Sequence, residues 1–164
     1  MPEYANVHAY LALGLAQGGQ PEEAEGSFRR ALKIEPGHED AVVGLGDLLY
    51  ARGRSAEALE VLREGLKHRP ESVQLANNLA WFLATLPEAE LRDGAEAVRL
   101  AEEVRPRTPT DDPNVLDTLA AAYAEADRFD EAVRTARQAV DAALAGGDAP
   151  LADAIRSRLV RYEA

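Results

Sequence analysis

Two stretches of this 164-residue chain repeat each other at a separation of 34 residues. Ala24, Phe28, Ala31 and Pro36 return as Ala58, Leu62, Gly65 and Pro70. Leu11, Ala12 and Leu15 return as Leu45, Gly46 and Leu49. A unit of that size is too small to bury an apolar face alone, so it has to stack on its neighbours. Leu45, Leu48 and Leu49 fall at i, i+3 and i+4, which is one helical stripe. Gly19 and Gly53 sit where a glycine ends a helix, and Pro36 and Pro70 where a helix must stop. The pattern predicts an all-α chain of stacked antiparallel helix pairs, a solenoid.

Two further copies follow with changes. Leu79, Ala80 and Leu83 continue the first-helix pattern at the same offset, but the second-helix alanine arrives at Ala97, 39 residues after Ala58. About five extra residues therefore lie near 86–92, read as a longer turn inside the third pair. The fourth copy carries Leu116, Leu119, Ala120 and Tyr123, then Phe129, Ala132, Ala136 and Ala139, with Leu144 where the closing proline would stand. The copies are placed at 5–38, 39–72, 73–112 and 113–146, within a single domain spanning 1–164. Gly146, Gly147 and Asp148 break the chain. Leu151, Ile155, Leu159 and Tyr162 then mark a last amphipathic helix over 149–163 that covers the end of the stack, with Asp153, Arg156, Arg158 and Arg161 on its other face. No matching cap precedes residue 5, so Val7, Leu11 and Leu15 are expected at a partly uncovered edge.

Composition narrows the function. Hydrophobic residues make up 46% of the chain but aromatics only 5%, and the apolar content is mostly Ala, Leu and Val, which suits close-packed helices. There is no cysteine, which removes disulfides and thiolate metal sites. The net charge of −11 argues against nucleic-acid or anionic-membrane surfaces, which need a basic stripe. No apolar run reaches the roughly 18 residues of a membrane span, and the start at Met1 lacks the pattern of a signal peptide. The chain is expected to be soluble and cytoplasmic, alone or as part of a larger or membrane-anchored protein. Sixteen arginines against two lysines, with abundant alanine, point to a GC-rich bacterial source.

These positions resemble the tetratricopeptide repeat over about residues 5–146. That family asks for a large residue, Leu-Gly/Ala and an aromatic or Leu on the first helix, then Ala, an aromatic, Ala and a terminal Pro on the second. Phe129-Asp130-Glu131-Ala132 and Glu22-Glu23-Ala24 match its usual start of the second helix. Asn77-Asn78-Leu79-Ala80-Trp81 is similar to a block common in bacterial members. The chain departs from the pattern at His8 and Ala76, and at Ala101 and Ala136 where an aromatic is usual. The resemblance implies a right-handed superhelix whose first helices line a concave groove.

The groove-facing set is then Asn6, Tyr10, Leu13 and Gln17; Asp40, Val43, Asp47 and Tyr50; Gln74, Asn77, Asn78, Trp81 and Thr85; Asn114, Asp117, Thr118 and Ala121. Among these the peptide contacts are expected from Asn6, Tyr10, Gln17, Asp47, Tyr50, Gln74, Asn77, Asn78, Trp81, Asn114, Asp117 and Thr118. No Lys or Arg occurs in any first helix, so the groove is expected to be neutral to acidic. Carboxamides both donate and accept, which suits an extended peptide backbone; aromatics anchor it; acidic groups favour a neutral or basic segment. The missing cations also exclude the clamp by which chaperone-binding members hold a terminal carboxylate. Two alternatives stay open: Trp81 packs on the inserted turn or the next helix, and Asn77-Asn78 bridges helices structurally.

Catalytic signals are absent. His8, His38 and His68 have no partner at metal-binding spacing, and Gly44-Leu45-Gly46 is not followed by the Gly-Lys-Ser/Thr of a phosphate loop. No cofactor and no metal are expected, and no enzyme. The reading is a non-catalytic scaffold binding a protein or peptide segment, neutral or basic, with no nucleic acid and no direct membrane insertion. The alternatives are an assembly or regulatory module that forms homo-oligomers through the N-terminal edge, and an accessory that positions substrates for a catalytic domain on the same chain.

Overall fold

The computed structural model describes the backbone of residues 2–164 and side chains from Tyr4 onward; Met1, where a leader was sought, lies outside the described residues. Nine α-helices and no strand occur among the described residues. They are α1 Pro2–Gln17, α2 Pro21–Ile34, α3 Glu39–Ala51, α4 Ser55–His68, α5 Val73–Thr85, α6 Gly94–Val104, α7 Pro113–Glu125, α8 Phe129–Ala145 and α9 Ala149–Tyr162. The fold is an all-α solenoid of helix pairs. It divides into two compact units, the first ending at Asn78 and the second running from Leu79 to Ala164, with the boundary inside α5.

Capping sets where each helix begins. The first helices α3, α5 and α7 start after His38, Ser72 and Asp112, which occupy one repeat position. Each accepts a backbone N–H of its own first turn: His38 Nδ1 from Ala41 at 3.3 Å, Ser72 Oγ from Leu75 at 3.1 Å, Asp112 Oδ1 from Asn114 at 3.0 Å. Such caps satisfy donors that the helix cannot. Three second helices start differently. Gln20, Arg54 and Arg128 cap nothing with their side chains. Each instead donates to a glutamate three residues on, Glu23, Glu57 and Glu131 respectively.

The turns inside the pairs share one design. The N–H groups of Gln20, Arg54 and Arg128 reach back to the carbonyls of Leu15, Leu49 and Tyr123 at 2.8–2.9 Å. The residue before each is in the left-handed region: Gly19 and Gly53 as the sequence predicts, and Asp127 in the fourth copy. The third pair replaces this turn with the inserted segment. A short 3₁₀ turn, Ala89–Leu91, forms there. Asp93 N–H donates to the Leu83 carbonyl at 3.0 Å, Arg92 Nη1 donates to the Leu86 carbonyl at 2.9 Å, and Arg92 pairs with Glu125 at 2.9 Å. The insertion is thus tied to α7.

Small residues set the helix spacing. Ala24, Ala58, Ala97 and Ala132, the second-helix alanines, are all fully buried. The first-helix set Ala12, Ala80 and Ala120 is equally buried, and so is Gly46. The tightest contacts lie elsewhere. A Cβ on Gly44 would stand 2.4 Å from the Phe28 ring, and one on Gly65 would stand 2.6 Å from Val42. At Gly94 the neighbour is main chain instead, 2.7 Å away at the backbone of Glu125 and Ala126. In the second unit α8 and α9 close a core of Leu116, Ala136, Ala139, Val140, Ala152 and Ile155, on which Leu151, Leu159 and Tyr162 pack.

Gly94→Ala is expected to destabilise the protein by about 2 kcal/mol, because backbone rather than a side chain must yield. Gly46→Ala, where the added Cβ meets Leu62 no closer than 3.5 Å, is expected to leave stability unchanged or raise it by up to about 1 kcal/mol. Urea unfolding of both variants checks the pair.

Candidate functional site

In the first unit the first helices present an open face. Asn6, Asp40 and Gln74 hold the same place in three successive copies, and all are exposed. Tyr10, Gln17, Asp47 and Tyr50 are exposed as well, while Leu13 and Val43 are half-buried. Burial raises the Asp47 carboxyl above the usual aspartate range although its side chain is open to solvent, as expected where protein surrounds an exposed group on several sides. Asn6 Oδ1 lies 2.8 Å from His38 Nε2. Because His38 Nδ1 already accepts from Ala41, Nε2 carries the proton and donates to Asn6. Beside this pair lies an open depression of about 350 Å³ lined by Asn6, Glu35, His38, Glu39, Asp40 and Arg69. Arg69 is paired with Glu35 at 2.6 Å. Asn77 and Asn78 are half-buried. Asn78 donates to the Gln74 carbonyl at 2.8 Å, and the Oδ1 of Asn77 is buried without a hydrogen-bond partner.

The second unit is different. Asn114 is exposed, but Asp117 and Thr118 are buried and are not open to a ligand. Thr118 spends its hydroxyl on the Asn114 carbonyl at 3.0 Å. Asp117 takes both N–H edges of Arg158, with Nε at 3.1 Å and Nη2 closer still. The Arg158 guanidinium also lies over the Trp81 ring, 5.1 Å from its centroid, in the range of a cation–π contact. Trp81 is half-buried and Ala121 buried. Arg158 therefore does not lie on the solvent face of α9. It turns inward from the flank of that helix because a carboxylate buried on α7 demands a partner. Burial raises the Asp117 carboxyl, and Arg158 only partly offsets this.

The class of protein defined by this architecture is a helical-repeat array whose first helices carry a polar, cation-free face. Residues 15–82 match the tetratricopeptide-repeat family model, so the resemblance read in the sequence holds over that stretch. Solved structures share the fold. PilW, described as a widely conserved type IV pilus biogenesis factor, superposes with a TM-score of 0.71 at 19% identity over 96% of this chain and 77% of that one. MamA from Desulfovibrio magneticus RS-1 gives 0.66 at 18% identity over 98% and 95%. Pseudomonas aeruginosa PilF gives 0.64 at 20% over 98% and 77%. No curated protein matches the chain. Tetratricopeptide proteins generally serve as non-catalytic modules that bind other proteins. No helix among the described residues is long and apolar enough to cross a membrane.

Sequence reasoning missed two groups of residues. The sequence marks His38 only as lacking a partner at metal-binding spacing, yet its register with Ser72 and Asp112 is the available sign of a cap. Glu25 is the other. It receives Arg54 Nη1 on both oxygens at 2.9 Å and also pairs with Arg29. Burial works against its charge, but the two arginines hold its carboxyl below the usual range. No sequence spacing announces the contact with Arg54.

Tyr162 reports on the docking of α9. Its phenol is pushed up to about 12, first by burial and then by the negative charge of Asp117. An unfolded tyrosine ionises near 10, so the neutral phenol's contribution is complete below about pH 10 and lost as the pH rises to about 12. Urea midpoints of the parent are expected to fall more steeply across that window than those of Tyr162→Phe. Parallel slopes would show that Tyr162 is not held in this environment.

Proposed function

We propose that this chain is a non-catalytic scaffold that holds an extended, neutral or basic protein segment along the first-helix face of its first unit. The observation that carries the reading is the exposed series Asn6, Asp40 and Gln74, on helices that contain no Lys or Arg. Three polar groups at one-repeat spacing offer a regular set of partners to a peptide backbone. Asp40 and Asp47, with Glu39 beside the depression, favour a cationic side chain and speed its encounter. Tyr10 and Tyr50 supply apolar contact area next to these groups. Trp81 and Asp117 engage Arg158 of α9 and Thr118 is buried, so these three are left out of the peptide contacts.

Peptide display on the parent, run beside Asp40→Lys/Asp47→Lys, tests this. The parent is expected to enrich neutral or Lys/Arg-containing segments, and the charge reversal to weaken the selected peptides by about tenfold or more, or some 1.4 kcal/mol. Peptides that bind both proteins equally would remove the face from consideration.

A further inference from the structure

The outer side of α1 carries a second surface, separate from the polar face. Val7 and Leu11 are 61% and 49% exposed. Their counterparts in the later copies are Ala41 and Leu45, Leu75 and Leu79, and Val115 and Leu119, and all six are buried. Gly44, three residues beyond Ala41 on the same side of α3, receives the Phe28 ring from the preceding pair. This side of a first helix is therefore the side by which one pair meets another, and on α1 it is uncovered.

The residues along it have an order. Tyr4, Val7, Leu11, Gly14 and Gly18 alternate spacings of three and four, the seam by which two helices pack side by side, and all five are exposed. The large residues stand at one end and the glycines at the other. A Cβ added to Gly14 would meet nothing within 4 Å, so internal packing does not need a glycine there. A glycine inside a helix costs about 1 kcal/mol relative to alanine. From Tyr4 to Pro21 there is no Asp, Glu, Lys or Arg, whereas 29% of the whole chain is charged and its net charge is −11. Two copies approaching through most other surfaces would meet like charge; through this seam they would not.

We infer that the α1 seam pairs with a second copy of this chain, antiparallel, about a two-fold axis at Leu11. In that register Leu11 meets Leu11 of the other copy, Val7 faces its Gly14, and Tyr4 faces its Gly18. Each large side chain then lies over a glycine, which lets the two helices come close, and the same patch serves both copies as a two-fold interface requires. Parallel pairing would set Tyr4 on Tyr4 and leave glycine against glycine. The seam spans about 21 Å at 1.5 Å per residue. One helix pair of that length falls in the small-interface class below about 1,200 Å², so the dimer is expected to dissociate in the micromolar range. The groove-facing residues Asn6, Leu13 and Gln17 lie on another side of α1, so the dimer does not depend on the proposed peptide face.

Sedimentation of the 164-residue chain from micromolar to submillimolar concentration is the first test. A monomer–dimer equilibrium is expected, with Val7→Glu and Leu11→Glu monomeric and unchanged in helicity. A monomeric parent throughout that range, or dimers that survive both variants, overturns the inference. Gly14→Leu separates pairing from folding: it is expected to raise the melting temperature of the monomer while abolishing the dimer. A Gly14→Leu dimer as tight as the parent's overturns the register. Because the chain has no cysteine, orientation can be read by oxidation. Val7→Cys mixed with Gly14→Cys is expected to give the crossed disulfide dimer, and Val7→Cys alone none. The opposite result would mean parallel pairing and would overturn the antiparallel arrangement. None of these outcomes depends on peptide binding, so the seam and the groove stand or fall separately.

Discussion

Everything else in this protein depends on how closely its helices approach. Ala24, Ala58, Ala97 and Ala132 are small where a second helix is pressed hardest, and each is completely buried. Dispersion at such contacts is weak per atom pair and large in sum, and it is lost if a helix is held even slightly away. The glycines mark the same limit. Phe28 is fully buried because Gly44 leaves room for its ring, and Val42 because Gly65 does. The caps, the turns and the faces available for binding follow from the helix spacing these contacts impose.

The two units put their first-helix faces to different use. In the first, polar and aromatic side chains stand in solvent with few internal partners. In the second, α9 lies against the equivalent region and Arg158 engages both Asp117 and Trp81. A buried carboxylate is costly unless paired, so Asp117 and Arg158 bind the cap as a unit rather than acting as separate surface charges. The apolar face of α9 supplies burial through Ile155 and Ala152, and the ion pair selects the orientation in which that burial occurs.

Much of the architecture was legible in the repeat itself. Periodicity placed the helix pairs, the alanines between them, the turn glycines and the interruption before Ala97. It also located the apolar face of α9 and the uncovered Val7 and Leu11. The groove set was less legible, because spacing says which residues share a helix side but not what stands opposite. Asn77 and Asp117 occupy the position held by the buried Ala9 in the first copy, a register clue that points inward. Arg158 was read from the polar side of an amphipathic pattern, where a flanking residue can turn either way.

The sequence by itself determined that this chain would be a stack of helix pairs with cation-free first helices, because helical periodicity, caps and turn residues are local and are written within a few positions of where they act. Tertiary structure alone decided which polar residues of the first helices stay exposed and which are buried in pairs. That choice depends on long-range pairs, 41 residues apart for Asp117 and Arg158 and 29 for Glu25 and Arg54. Their formation requires the helices to be packed already, so no pattern confined to one segment encodes them.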